Sequence, residues 1–146
     1  IDLQNIPERN ILEIYFGHPI FAADSDAMCF FNNDAAANYE NTGASVNTGA
    51  VSYTASSTAN GVALVNQGAK DSTTGYFIIK VNNTSTRIKD YFVNGSRNKN
   101  ATGGFHSTFA GGWENTTAQI NRITCRSTGG VNFPVGTSIT VFGSTR

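Results

Sequence analysis

Residues 74–83 read TGYFIIKVNN, and their apolar period is the clearest structural signal in the chain. Phe77, Ile79 and Val81 recur at every second position, which places them on one side of an extended backbone. Aromatic and β-branched residues also fit the pleated, half-buried surface of a sheet. The stretch therefore predicts a β-strand with one face in a core.

The segment 10–17, NILEIYFG, repeats this pattern. Leu12, Ile14 and Phe16 share one face, and a strand is again predicted. A helix that begins at Pro7 is the alternative, but the β-branched and aromatic content of the segment favours the strand.

The segment 136–143, GTSITVFG, alternates as well, with Ile139 and Val141 on one face. About nine short strands separated by Gly, Asn and Ser clusters predict an all-β chain, an antiparallel β-sandwich of jelly-roll type. The remaining strand candidates are 27–33, 50–55, 61–65, 87–93, 105–111 and 119–126.

The chain has 146 residues, which fits one domain with a single hydrophobic core. Residues 1–9 lie outside the alternating pattern and are expected to form an N-terminal arm, so that the sandwich domain comprises 10–146. Residues 39–57 carry little hydrophobicity, and we expect a surface excursion there with one weak strand inside it.

Charged residues make up only 14% of the chain, ten basic and ten acidic. There is no basic surplus to neutralise phosphates or to bind anionic lipids, so neither nucleic acid nor membrane is expected as a partner. No apolar run reaches the roughly 18 residues that a membrane-spanning helix requires.

The two cysteines, Cys29 and Cys125, lack the Cys-x-x-Cys spacing of zinc and redox sites. Both lie in apolar, strand-like segments, where free cysteine behaves as a small buried hydrophobe. We expect two buried thiols, with a bridge between them as the alternative.

Catalytic motifs are absent from the sequence. The two histidines, His18 and His106, have no partner at a recognised spacing, and no nucleophile elbow, phosphate loop or dinucleotide fingerprint occurs. We expect a protein that is not an enzyme and has no cofactor. A pocket that joins His106 to a carboxylate would be needed for a hydrolase.

Oxygen donors cluster around the predicted strand 27–33: Asp24, Asp26, Asn32, Asn33 and Asp34. Such groups could bind calcium, but the glycine and the third donor of a helical calcium loop are missing. We expect no metal site.

Six aromatic residues could form a sugar-stacking platform if they faced solvent together, although most are expected to fill the core. Tyr39 and Trp113 are the two that we keep as candidates for facing a ligand. The six are Tyr39, Tyr53, Tyr91, Phe105, Phe109 and Trp113.

Residues 28–39, MCFFNNDAAANY, resemble a pattern of β-sandwich domains in tailed-bacteriophage virion structural proteins, a group of head decoration, fibre and tail proteins. In this pattern a strand ends in Phe-Asn-x-Asp, and an Asn-Tyr pair follows. The matching positions are Phe31, Asn32, Asp34, Asn38 and Tyr39.

Residues 109–144 are similar to the closing stretch of the same family. The resemblance extends from about residue 10 to 143, with departures at Glu114 and Cys125. The matching positions are Gly112, Trp113, Asn115, Thr116, Ile120, Ile123, Phe133, Gly136, Thr137, Phe142 and Gly143.

The resemblance implies a non-enzymatic component of the virion surface that is homo-oligomeric, with a trimer expected. A capsid decoration or head-fibre subunit, docked on capsid or other virion proteins, suits a short chain without shaft repeats, so the head is favoured over the tail. The alternative is a receptor- or glycan-binding tip module that attaches to a host surface.

The same residues have a structural interpretation. Phe31 closes a buried strand, while Asn32 and Asp34 are short side chains that bond to nearby backbone amides and hold a turn. Asn38 and Tyr39 would then hold the far side of the loop. We therefore predict a turn brace at this position.

Overall fold

A computed structural model of the chain describes residues 1–17, 27–47, 49–64, 72–99, 103–127, 130, 132–133 and 135–145. These residues contain strands and turns and no helix. The strands are β1 (Asp2–Leu3), β2 (Ile11–Gly17), β3 (Ala27–Phe31), β4 (Tyr39–Asn47), β5 (Ala50–Ala59), β6 (Val62–Ala63), β7 (Ser72–Asn82), β8 (Lys89–Lys99), β9 (Gly103–Trp113), β10 (Ile123–Ser127) and β11 (Ser138–Ser144).

The strands form two antiparallel sheets that pack as a sandwich, which confirms the predicted fold class. The large sheet has seven strands in the order β11-β2-β7-β8-β9-β4-β5, and the small sheet has four in the order β1-β10-β3-β6. The described residues thus contain eleven strands, two of them only two residues long, where about nine were expected.

Three strand pairs are nested within one another along the chain. β2 pairs with β11 in the large sheet, β3 with β10 in the small sheet, and β4 with β9 in the large sheet again. Successive pairs therefore alternate between the layers, as in the wrapped ribbon of a jelly roll. The large sheet also contains β5, β7 and β8, which join it through the hairpin β4-β5 and the meander β7-β8-β9.

The core lies between the sheets and is filled by the alternating residues of the predicted strands. Leu12, Ile14 and Phe16 are at most 1% exposed, and so are the inward residues of β7. This confirms the inward faces that the sequence predicts for β2 and β7. Gly95 on β8 leaves room for the Phe77 ring, since a Cβ there would overlap that ring. The inward residues of β7 are Phe77, Ile79 and Val81.

Cys29 and Cys125 are joined by a disulfide, so the expectation of two free thiols is wrong. The pairing of β3 with β10 places the two residues directly opposite each other, with Cα atoms 4.1 Å apart. The sequence does not reveal which strands are neighbours, and therefore could not show that these positions meet.

Residues 39–57 do not form a surface excursion. They supply β4 and most of β5, a long hairpin at one edge of the large sheet, so that expectation is also wrong. The inward positions of β4 include Asn41, Gly43 and Ser45, which are small or polar. The hydrophobic alternation that identifies the other strands is therefore missing here.

The N-terminal segment is attached to the small sheet. β1 pairs with β10, the amino group of Ile1 donates to the carbonyl oxygen of Cys125 at 2.8 Å, and Ile6 is buried in the core. Arg122 donates to both carboxylate oxygens of Asp2 at 2.8 and 2.7 Å. This ion pair holds the pKa of the Asp2 carboxyl well below its usual range, mainly through the Arg122 hydrogen bonds.

Candidate functional site

The turn after β3 is held by the carboxylate of Asp34. One oxygen accepts a hydrogen bond from the Ala36 amide at 3.0 Å, an Asx turn. The other accepts from the side-chain amide of Asn38 at 3.0 Å and from the indole N–H of Trp113 at 2.8 Å. The Asp34 side chain thus joins the turn after β3 to the end of β9.

Hydrogen bonding also sets the charge state of Asp34. Desolvation by burial would raise the pKa of this carboxyl, but the hydrogen bonds from Asn38, Trp113 and Ala36 favour the charged form and outweigh it. The pKa of Asp34 therefore lies below its usual value.

Asn32 joins the same turn to the segment before β10. Its backbone has a φ of 50°, in the left-handed region that Asn tolerates better than most residues. Its side-chain amide donates to the Gln119 carbonyl at 2.8 Å, and its side-chain oxygen accepts from the amides of Asn121 and Arg122 at 2.9 and 3.2 Å. The residues of the predicted brace are thus in contact with two distant parts of the chain.

Tyr39 and Trp113 do not face a ligand; they are 0% and 1% exposed, so that interpretation is wrong. Their rings stack at 6.3 Å between centroids, and the Phe31 ring contacts both. The Tyr39 hydroxyl accepts from the Phe31 amide at 2.8 Å and donates to the Asp34 carbonyl at 3.0 Å. Burial raises the pKa of Tyr39 above its ordinary value.

Two more aromatics of the proposed platform, Tyr91 and Phe109, are also buried. The Tyr91 hydroxyl lies 2.9 Å from the side-chain oxygen of Asn41, whose amide donates to the Gly61 carbonyl beside the small sheet. The side chain of Phe105 lies outside the described residues. Tyr53 alone among the described members of this set is exposed.

Lys89 packs behind the indole of Trp113. Its ammonium nitrogen lies 5.9 Å from the ring centroid and donates to the carbonyls of Asn115 and Arg87 at 2.6 and 3.1 Å. Burial lowers the pKa of Lys89, because the charged ammonium is removed from water. The side-chain oxygen of Asn115 in turn accepts from the amides of Thr117 and Ala118, both at 3.0 Å.

The other positions of the C-terminal pattern serve packing and turns. Ile120 is fully buried, and the Phe133 ring packs edge-on against Phe16 at 5.3 Å. Gly136 has a φ of +94°, which requires glycine in the turn before β11.

Two further positions of this pattern lie in the large sheet. Gly112 lies on β9, where a Cβ would come too close to the Ile88 side chain. Phe142 is different, because its ring is exposed.

Groups that could carry out catalysis are not gathered in the described part of the chain. His106 lies on β9 beside Ser96 and Val46 of the neighbouring strands, 3.3 Å from the hydroxyl of Thr108, so no carboxylate flanks it there. His18, Asp24 and Asp26 lie outside the described residues. Within these, no group of three or more His, Cys, Asp or Glu side chains could bind a metal ion.

A groove of about 460 Å³ lies between the N-terminal segment and β11. The described residues along it include no carboxylate, imidazole or thiol, so it offers no reactive group. Its apolar residues are Leu3, Ile6, Pro7, Leu12, Ile139 and Val141.

The outer face of the large sheet points away from the small sheet. The strand registers arrange its side chains in three rows that cross all seven strands. From β11 to β5, the middle row contains Thr140, Tyr15, Ile78, Asn94, Thr108, Ala44 and Tyr53. The second row contains Phe142, Glu13, Lys80, Phe92, Ala110, Thr42 and Ala55. The third row contains Ser138, Gly17, Tyr76, Ser96, His106, Val46 and Val51.

Large apolar side chains on this face are open to solvent. Tyr53 is 84% exposed, Phe142 60% and Tyr76 54%. The carboxylate and ammonium charges in the three rows are those of Glu13 and Lys80, which form an ion pair at 2.9 Å. The sequence predicted the inward faces of these strands but did not indicate that their outward faces form one uncovered surface.

Comparison of the chain with protein families, with characterised proteins and with solved structures finds no match. Among the described residues, no helix is long and apolar enough to cross a membrane.

Proposed function

We propose that this chain is a non-enzymatic structural protein of a bacteriophage virion, a capsid decoration or head-fibre subunit located on the particle surface. The observation that carries the proposal is the outer face of the large sheet, a seven-stranded surface with exposed Tyr53, Tyr76 and Phe142. The Phe142 ring also contacts exposed Tyr15, and large apolar side chains grouped on one face of a sheet are typical of an interaction site. The resemblance of residues 28–39 and 109–144 to virion structural domains supplies the setting.

The interior of the protein contains covalent and hydrogen-bonded links between distant strands, as expected of a structural subunit. The disulfide joins the two central strands of the small sheet, and the hydrogen bonds of Asp34 and Asn32 connect β3, β9 and the segment before β10. The polar side chains that the sequence singled out are thus used in stabilising the fold. The outer face remains as the contact for assembly, with other virion proteins or with copies of the chain.

Immunogold electron microscopy of the phage that encodes the chain tests this function. Antibodies against the purified protein should label intact particles, on the head rather than on the tail. Particles from a phage in which the gene is deleted are the control, and the purified protein should bind to them and sediment with them. Intact wild-type particles that carry no label, with the protein found only in the unassembled fraction, would overturn the proposal.

A second function is favoured by one observation. Tyr53, Tyr76 and Phe92 project from a face that also carries Asn94 and Thr108, and aromatic rings beside amide and hydroxyl groups can stack on and hydrogen-bond a sugar. A receptor- or glycan-binding tip module would then use this face. Binding on a glycan array that is lost in Tyr53→Ala and Tyr76→Ala, but kept in the exposed-turn variant Thr86→Ala, would support it.

A further inference from the structure

We infer that the outer face of the large sheet binds the same face of a second copy of this chain, about a two-fold axis that runs along the strands over β8. The inference rests on the proposed function, because it names the partner for the assembly contact assigned there. β8 is the central strand, with three strands on either side. A two-fold axis along it places β11 opposite β5, β2 opposite β4, and β7 opposite β9 of the other copy.

Side-chain size supports this axis in the middle row. The axis brings Tyr15 of one copy opposite Ala44 of the other, and Tyr53 opposite Thr140. Each large ring thus meets a small side chain. Face-to-face sheets pack about 10 Å apart with their side chains interdigitated, so large residues need small ones across the interface.

The other two rows follow the same rule. In the second row, Phe142 lies opposite Ala55 of the other copy. In the third row, Val51 lies opposite Ser138. Tyr15, Phe142, Tyr53 and Val51 therefore each meet a small side chain of the other copy, whereas Tyr76 lies opposite the imidazole of His106 in the third row.

The residues of β8 face their own counterparts across the axis. Phe92 would meet the second Phe92 ring, and Asn94 would meet the second Asn94. Two phenyl rings can pack together, and an amide can both donate and accept, so each of these pairs is compatible with itself.

The other in-plane axis, which runs across the strands, does not give this fit. It would place β2 opposite β2 and β4 opposite β4. Tyr15 would then meet Tyr15, while Ala44 would meet Ala44 and leave a gap. Because a close-packed interface tolerates neither overlap nor voids, we favour the axis along the strands.

Charge and area are also consistent with self-association. Glu13 and Lys80 neutralise each other within one copy, so the three rows carry no net carboxylate or ammonium charge, and Asp90 lies on β8 just beyond them. With strands about 4.8 Å apart and a rise of about 3.3 Å per residue, the three rows cover on the order of 700 Å². This is close to the roughly 800 Å² that each partner contributes to a standard-size interface.

Sedimentation equilibrium of the purified protein over a range of concentrations tests the inference. We expect a monomer–dimer equilibrium. Ala44→Trp should raise the dimer dissociation constant at least about tenfold, because the new indole occupies the space of Tyr15 from the other copy. Thr86→Trp, in the exposed turn between β7 and β8, is the matched control and should leave the constant unchanged. Thermal melts of both variants check that each is folded.

Cross-linking tests the axis. In the double variant Tyr15→Cys with Ala44→Cys, a short bis-maleimide should join two chains, whereas Tyr15→Cys alone should not cross-link efficiently. Within one chain the two positions are four strands, or about 19 Å, apart, which is too far for the reagent. Efficient cross-linking of the single variant would indicate the other axis and overturn the proposed one.

Three further outcomes contradict the inference. A monomer at all concentrations that binds glycan through Tyr53 and Tyr76 would assign the face to a sugar. A monomer that binds only to gene-deleted particles would assign it to another virion protein and leave the proposed function intact. A trimer that is insensitive to Ala44→Trp would place the contact between copies elsewhere.

Discussion

Asp34 shows how much one residue contributes to this fold. Its carboxylate accepts hydrogen bonds from Ala36, Asn38 and Trp113, which lie in the turn after β3, just before β4 and at the end of β9. The backbone carbonyl of the same residue accepts from Tyr39. Because charge-assisted hydrogen bonds are stronger than neutral ones, replacing this side chain should be more costly than replacing an exposed carboxylate.

We expect Asp34→Ala to lower the free energy of unfolding by about 2 kcal/mol, since the indole N–H of Trp113 loses its partner in a partly buried site. Urea denaturation measures the change. Asp90→Ala is the matched control, because Asp90 is exposed on β8, and it should change the stability by no more than about 0.5 kcal/mol. Equal losses in the two variants would contradict the brace.

Acid should remove the contribution of the Asp34 charge. The pKa of Asp34 in the folded protein lies below its ordinary value of 3.8. Stability from this group is therefore present above the pKa of the unfolded chain and is lost as the pH falls through the folded pKa. We expect the stability difference between the wild type and Asp34→Asn to be constant near neutral pH and to shrink below about pH 4. Urea titrations from neutral to acid pH measure it, and a difference that grows on acidification would be inconsistent with this mechanism.

The contact between β3 and β10 leads to a prediction at the scale of strands. The disulfide spans 96 positions of the chain, so reducing it should lower the free energy of unfolding by between about 2 and 5 kcal/mol. Urea denaturation with and without a reductant measures this. The reductant should not affect the double variant Cys29→Ala with Cys125→Ala. A mass that does not rise by two hydrogens on reduction would show that the bond is absent.

How far the sequence predicts a strand depends on what its inward face contains. β2 and β7 were predicted with the correct faces, because Leu12, Ile14 and Phe77 alternate with outward residues along a fully covered part of the sheet. β4 was missed because Asn41 and Ser45 occupy inward positions. Asn41 is buried because its side chain is hydrogen-bonded to Gly61 and Ala63. The alternation of hydrophobic and polar residues that predicts a strand is therefore absent from β4.

The candidate site shows the same limit. The turn residues Asn32 and Asp34 could be identified from local chemistry, since short polar side chains after a strand commonly bond to nearby amides. Their distant partners, Trp113 and Gln119, depend on which strands are neighbours and could not be derived. The outer face likewise becomes visible only when the registers of seven strands are known, although Tyr76 belongs to the most regular segment of the chain.

At the scale of the whole molecule, the nested pairing decides how the chain can fold. β2 pairs with β11 although eight strands lie between them in the sequence, and β3 and β10 are almost as far apart. Contacts between strands that are far apart in the sequence form only after a long loop has closed, at a cost in chain entropy. Two-state β-proteins rich in such contacts therefore fold in milliseconds to seconds. The disulfide removes part of this entropic cost, because it keeps β3 beside β10 in the unfolded chain.

We therefore expect the oxidised protein to refold from urea about thirtyfold or more faster than the reduced protein, with similar unfolding rates, because a loss of about 2 kcal/mol then falls wholly on refolding. Stopped-flow measurement of Trp113 fluorescence follows both reactions, because the indole is buried only in the folded state. This pattern arises if the pairing of β3 with β10 is already formed at the transition state. Equal refolding rates, with the whole difference in unfolding, would mean that the small sheet closes after the barrier and that the large sheet forms first.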